Sequence, residues 1–193
     1  LETDRKTQII KAAVKRFSRH GFNKTTLDEI ARDLRIGKAT IYHYFKSKEA
    51  LFYQTLEHDT SLILNDIKQI FNNEQISFRE RFFEYITLKE DIYNKCKLLY
   101  DLMIRILKEE ELEKDKDILK KFLQDEEGIL KLVLNSLYSS RIESMNPDLP
   151  TFFVIHSWGI LFGKKLNGIR NEGIPQSSKD LLLASLDTII GVK

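Results

Sequence analysis

Between Thr26 and Phe45 the chain carries residues whose types and spacing suit contact with a polyanion. Thr26 stands three residues before Glu29, a capping box in which hydroxyl and carboxylate each satisfy an orphan amide at a helix start. Leu27, Ile30, Ala31 and Leu34 then recur at helical spacing, so a short helix ends near residue 34. Arg35-Ile36-Gly37 is a tight connection, and a further helix over 38–45 uses Ile41 and Phe45 as its inward pair. Steps of about 100° per residue put Ala39, Thr40 and His43 on the opposite face, with Tyr42 and Tyr44 at its flanks. Two short helices about a tight turn, the second polar outward, form the helix-turn-helix arrangement that lays a helix in the major groove. In that role Thr26 and the free amides beside it hold a phosphate, and Lys48, at the start of the next helix, holds another. Thr40, Tyr42 and His43 reach base edges or thymine methyls, and Lys38 bonds guanine or phosphate. A structural cap followed by a solvated helix has the same residue pattern.

The elements that must position these residues follow from periodicity. Ile10, Ala13, Val14 and Phe17 mark a first helix over about 4–20, stopped at Gly21, and Ser47 caps a long helix carried by Phe52, Leu56, Ile63 and Ile67 to Phe71. Apolar positions at helical spacing return around Phe78–Ile86, Leu99–Ile106, Leu119–Leu137 with a break or bend near Gly128, Ile155–Ile169 and Leu182–Ile190. With 3 Pro and 8 Gly in 193 residues and no convincing strand, the expected fold is all-α. About nine helices are expected, arranged as an N-terminal three-helix helix-turn-helix domain over 1–47 and a C-terminal helical bundle over 48–193.

Charge divides the chain in the same place. Residues 1–50 hold 12 Lys/Arg against 6 Asp/Glu, whereas 51–193 hold 19 against 23, so a net charge of +2 hides a basic head on an acidic body. That asymmetry suits a phosphate-facing module carried by a body that does not itself touch nucleic acid.

The residues Phe17, Gly21, Thr25-Thr26, Ile30-Ala31 and the stretch Ile36-Gly37-Lys38-Ala39-Thr40-Ile41-Tyr42-His43-Tyr44-Phe45-Lys46-Ser47-Lys48-Glu49-Ala50-Leu51 resemble the signature of TetR-family transcriptional regulators. The resemblance covers the first quarter of the chain. It implies an all-helical homodimer whose first three helices bind double-stranded operator DNA and whose variable C-terminal domain binds an inducer. It also implies Thr26, Lys38, Thr40, Tyr42, His43 and Lys48 as DNA contacts, with Ala39 and Tyr44 on the same reading helix. Gly37 and Ala39 depart from the commoner Ser and Gly, which removes a side-chain contact at residue 37.

Beyond residue 55 the residues speak for themselves. Phe82, Tyr85, Tyr100, Met103, Phe122, His156 and Trp158 are candidates to line an elongated apolar pocket for a hydrophobic or amphipathic small molecule, though such stripes are more often plain core. Asp101, four residues before Arg105, suggests a solvated ion pair. Gly159 and Gly163 form a small-xxx-small pattern, and with Phe162, Leu166, Leu182, Leu186 and Ile189 they are the candidate dimer seam.

No H-E-x-x-H, G-x-S-x-G, G-x-G-x-x-G or metal-spaced cluster occurs, so neither an enzyme nor a cofactor or metal is expected. Cys96, the single cysteine, reads as a small core residue in a reducing cytoplasm. The longest uncharged run, 149–163, falls short of the ~20 residues that span a bilayer, so no membrane partner is expected. The leading expectation is a ligand-responsive repressor. Its rivals are an all-α carrier or enzyme with an incidental helix-turn-helix, and a constitutive DNA-binding protein with a solid body.

Overall fold

The computed structural model describes residues 2–107, 113–137, 147–166 and 175–190. The head begins with α1 (Glu2–Lys24), which buries Ile9, Ala13 and Phe17 along one face. Gly21 breaks its geometry with φ +78°, a conformation that disfavours a Cβ, and the turn folds Phe22 back against Phe17 and Phe52. Helix α2 (Leu27–Asp33) starts with the expected capping box and ends in a Schellman arrangement, in which the Ile36 amide bonds the Ala31 carbonyl and the Arg35 amide the Arg32 carbonyl. That ending puts Arg35 at φ +54°, where glycine or asparagine is usual. Helix α3 (Lys38–Tyr44) buries only Ile41 and is followed at once by the buried Phe45.

Helix α4 (Lys48–Phe71) is capped by the Ser47 hydroxyl, which accepts the Ala50 amide at 3.1 Å. Its 24 residues extend about 36 Å and pack against α1 at one end and the body at the other. The body comprises α5 (Phe78–Leu88), a 3₁₀ turn (Lys89–Asp91), α6 (Ile92–Lys95), α7 (Lys97–Leu107), α8 (Glu113–Leu137), α9 (Leu149–Leu166) and α10 (Gln176–Ile190). Helix α4 lies against α5, α7 and α8; α9 packs on α8, and α10 on α5 and α9. One apolar core runs from Ile9 in the head to Leu186 in α10.

The architecture is all-α among the described residues, as expected, and the single-turn α6 brings the α-helices to ten. The expected break near Gly128 is absent, since α8 continues through it. A lone glycine costs a helix only about 1 kcal/mol relative to alanine, and flanking Phe122, Ile129, Leu130 and Leu134 are buried. The Asp101–Arg105 pair does not form. Asp101 takes Lys97 at 2.5 Å and Arg105 turns to Asp115 of α8 at 3.1 Å. Cys96 is buried, and burial pushes its thiol up to about 12. Among the described residues no helix is long and apolar enough to cross a membrane, and no group of three or more His, Cys, Asp or Glu could hold a metal ion.

Candidate functional site

In the head, α2 and α3 are held so that one side of α3 stays free. Arg16 of α1 grips Asp33 of α2 with two bonds of 2.5 and 2.7 Å and also meets Glu29 at 3.6 Å. The guanidinium holds the Asp33 carboxyl below its ordinary value, and the Thr26 cap does the same for Glu29. Sequence reasoning missed this clamp, because seventeen residues separate its partners and no local spacing announces it. Ile41 and Phe45 anchor α3 inward. Lys38, Ala39, Tyr42 and His43 are exposed on it, and Thr40 and Tyr44 are half-buried. The His43 ring meets Tyr44 edge-on at 5.0 Å.

The cationic and hydroxyl candidates already have partners. Lys38 reaches Asp28 at 2.7 Å, which raises its pKa and ties the start of α3 to α2. The Thr26 hydroxyl accepts the Glu29 amide and donates to its carboxylate. Lys48 donates to the carbonyls of Phe22 and Thr25 at 3.1 and 3.2 Å, with its ammonium 4.2 Å from the Phe22 ring centroid. It therefore satisfies two carbonyls after the Gly21 kink and fixes the start of α4 to the head.

A profile of bacterial regulatory proteins of the tetR family matches residues 9–55. Over that stretch the head is similar to the tetR family. Among its relatives, an HTH-type transcriptional regulator from Bacillus subtilis (strain 168), YerO, is 39% identical over 67 residues, which is 35% of this chain and 23% of the relative. IcaR, the negative transcriptional regulator of the biofilm operon icaADBC from Staphylococcus aureus (strain Newman), is 33% identical over 91 residues, 46% of this chain and 49% of the relative. The chain thus spans about a quarter to a half of the length of these curated relatives. Over nearly its whole length it resembles the solved structure of the transcriptional regulator FadR from Bacillus subtilis in complex with stearoyl-CoA. The TM-score is 0.63 with 20% identity, covering 97% of this chain and 99% of that one, a likeness of fold.

Behind the head, the body is organised round a buried polar centre that sequence reasoning did not find. Lys89, at the end of α5, and Glu126, on α8, are both fully buried with 2.6 Å between Nζ and Oε1. Tyr85 donates its hydroxyl to Glu126 Oε1 at 2.6 Å, and Trp158 donates its indole N–H to Oε2 at 2.7 Å. Lys89 donates further to the Tyr85 hydroxyl at 2.8 Å and to Ser157 at 2.5 Å. Its ammonium lies 4.3 Å from the Tyr85 ring centroid and 4.6 Å from that of Trp158. Burial pushes the Lys89 ammonium down to about 8, against the pull of Glu126, and raises the Tyr85 phenol well above its ordinary value.

Of the residues expected round a ligand, Tyr85 and Trp158 form part of this centre. Phe82 packs on Tyr85 at 5.5 Å, Phe122 on Trp158 at 6.0 Å, and Tyr100 joins through Phe162. Met103 is buried on α7. His156 lies apart on the exposed side of α9, its ring 3.9 Å from that of Phe152. An apolar groove of about 340 Å³ opens between α7, α8 and α9 over Ile106, Leu119, Leu123 and Val154, with Lys120 and Glu127 among its lining residues.

Of the expected dimer residues, Phe162, Leu182 and Leu186 point into their own chain's core. Gly159 is exposed and Gly163 half-buried, and a methyl added at either would meet nothing within 4 Å. The side chains of Leu166 and Ile189 lie outside those described. Outward on the same two helices are Ile155, 58% exposed at the groove between α7, α8 and α9, and Leu181, 70% exposed in a shallow groove with Phe152, Ala184 and Thr188.

One further group joins head-bearing and body helices. Asp59 of α4, 1% exposed, accepts the backbone amides of Leu98 and Leu99 in the first turn of α7, doing from another helix what an N-cap does. Desolvation nevertheless pushes its carboxyl up to about 6, and its Oδ2 has no hydrogen-bond partner among the described residues.

Proposed function

We propose that the protein is a ligand-responsive transcriptional regulator, a repressor released from a pseudo-palindromic operator by a small hydrophobic or amphipathic inducer. Residues 1–47 serve as its DNA-binding unit, and 48–193 as its ligand-binding and dimerisation unit. The observation that carries this reading is the free face of α3, on which Lys38, Ala39, Tyr42 and His43 stand exposed while Ile41 and Phe45 fix the helix from behind. Two such helices, held about 34–36 Å apart in a dimer, would enter successive major grooves. Thr40, Tyr42 and His43 read bases; Thr26, Lys38 and Lys48 take phosphates once DNA replaces their present partners.

The relatives support repression, since IcaR is named a negative regulator, and FadR was solved with a bound acyl-CoA. Helix α4 supplies the lever, because it packs on α1 in the head and on α5, α7 and α8 in the body. A ligand that favours one arrangement of the body shifts DNA occupancy by its differential affinity alone, and ~1–3 kcal/mol of coupling suffices for 5–150-fold. Dimerisation uses the outer face of α9 and α10, where the open space at Gly159 and Gly163 accommodates a partner helix. The protein works in the cytoplasm, without catalysis.

Selection of a duplex from a random library, then gel shifts against a scrambled duplex at several salt concentrations, tests the reading. The selected site should bind roughly 10³-fold tighter or better, with log affinity falling linearly in log salt. Equal affinity for both duplexes would sink it. Because a Cβ added at residue 163 meets no atom of its own chain within 4 Å, Gly163→Leu should leave the fold intact and yield monomers with weak operator binding; a Gly163→Leu variant that sediments as a dimer moves the interface elsewhere.

A further inference from the structure

The polar centre of the body has the composition of a cation-binding cage whose occupant is part of the chain. Glu126 supplies the counter-charge, Tyr85 and Trp158 present their rings to the ammonium, and the Tyr85 and Ser157 oxygens accept its remaining hydrogens. The walls come from three helices, α5, α8 and α9, and Glu126 is fixed to them independently of Lys89 by the Tyr85 hydroxyl and the Trp158 indole. Neither of those two bonds passes through the ammonium. Lys89, by contrast, arrives on a flexible four-carbon stem from the end of α5.

We propose that this cage is the head-group site of the effector, and that the effector is an amphipathic primary amine whose ammonium displaces that of Lys89 against Glu126. The inference rests on the ligand-responsive reading above and names its ligand class. A primary ammonium matches the three acceptors that Lys89 now uses, Glu126 Oε1, Tyr85 Oη and Ser157 Oγ. An anion would instead meet the Glu126 carboxylate. Lys89 would leave as an ammonium, exchanging one cation for another against Glu126. The groove that would take the apolar tail is lined by the neighbours of the cage residues on the same helices, not by the cage residues themselves. The groove over Ile106, Leu119, Leu123 and Val154 lies between α8 and α9, the two helices that carry Glu126 and Trp158. Because the cage joins α5, α8 and α9 while α4 packs on α5 and α8, exchanging its occupant repositions the helices that bear on the lever.

The test uses the full chain with n-octylamine, and n-octanol and octanoate as controls of equal tail length. Wild-type protein should bind octylammonium in calorimetry at least tenfold more tightly than either control, and octylamine alone should release a selected operator. Glu126→Gln, with helical circular dichroism matching wild type, should lose at least tenfold in octylammonium affinity. Lys89→Ala empties the cage, so its melting temperature should fall and n-butylammonium, but not n-butanol, should restore it. If Lys89→Ala does not fold, the wild-type and Glu126→Gln titrations decide alone. Equal binding of amine and alcohol, tighter binding of octanoate, or an amine affinity indifferent to Glu126→Gln overturns the proposal and leaves the pair a structural one. Operator binding without any amine is measured separately. Its absence would refute the regulator reading, whereas amine binding without operator release would refute the coupling and retain the site.

Discussion

Head and body treat charge in opposite ways. In the head, ionic groups stay at the surface and brace apolar helices sideways, as Arg16 does with Asp33 and Lys38 with Asp28. The body instead folds round its charges, with Lys89, Glu126, Asp59 and Asp115 all at 2% exposure or less. A surface brace adds little stability, whereas a buried pair is expensive to form and more expensive to break. The head therefore takes little of its stability from its ionic contacts. The body keeps a polar centre inside an otherwise apolar bundle, where the loss of one charge would leave groups on several helices unpaired.

The sharpest way to break this comparison is to remove one member of the buried pair. Lys89→Met or Glu126→Leu alone should destabilise the protein by about 3–5 kcal/mol in urea unfolding, and the double variant should recover most of that loss. Breaking the surface brace with Arg16→Met should have a much smaller effect. If the two single variants in the body were as mild as the brace variant, the contrast would be wrong.

Asp59 sharpens it through pH. The folded protein holds this proton more tightly than the unfolded chain, about 6 against 3.8, so folding takes up a proton in that window. Stability therefore falls as pH rises from about 4 to about 6, and above it the full penalty of ~3 kcal/mol persists. Asparagine cannot ionise but still accepts the Leu98 and Leu99 amides. Asp59→Asn should raise the melting temperature at pH 8 and bring no gain at pH 4; an equal effect at both would mean that the carboxylate is not desolvated.

In the head, Lys48→Ala should cost about 1–2 kcal/mol by removing its bonds to the Phe22 and Thr25 carbonyls, the first of which keeps the Thr25 amide. It should also weaken binding to every duplex alike and lower the salt slope by about one. A loss of stability with an unchanged salt slope would assign the lysine to structure alone. The smallest effect is a gain. Arg35 holds φ +54°, so Arg35→Gly should stabilise the head by roughly 0.5–1 kcal/mol, read as a higher urea midpoint. A lower midpoint would show that the arginine side chain outweighs its backbone strain.

How much of this was legible follows from the range of each interaction. The Thr26–Glu29 and Ser47–Ala50 caps close within three residues, and Ile41 and Phe45 lie one turn apart. Such contacts leave their mark in spacing, so the helix-turn-helix and its outward residues could be read directly. The buried centre spans 41 residues from Tyr85 to Glu126 and 68 from Lys89 to Ser157. Nothing in one dimension marks Glu126, which stands between Asp125 and Glu127 in what looks like an ordinary solvated face. Lys89 is hidden in the same way before Glu90 and Asp91.

The sequence by itself determined the helices, their caps, the basic head and the face that α3 turns outward, because each depends on backbone hydrogen bonds and apolar periods over a few residues. Tertiary structure alone decided which of Leu181, Leu182 and Leu183 face the core. All three are apolar and adjacent, and the choice belongs to α5 and the 3₁₀ turn after it, to which Arg79–Asp187 and Lys179–Glu90 fasten α10. It also decided that Arg105 pairs with Asp115 rather than Asp101, and that the rings of Tyr85 and Trp158 enclose a charge instead of one another. Periodicity says which side of a helix is buried; only the neighbouring helices say against what.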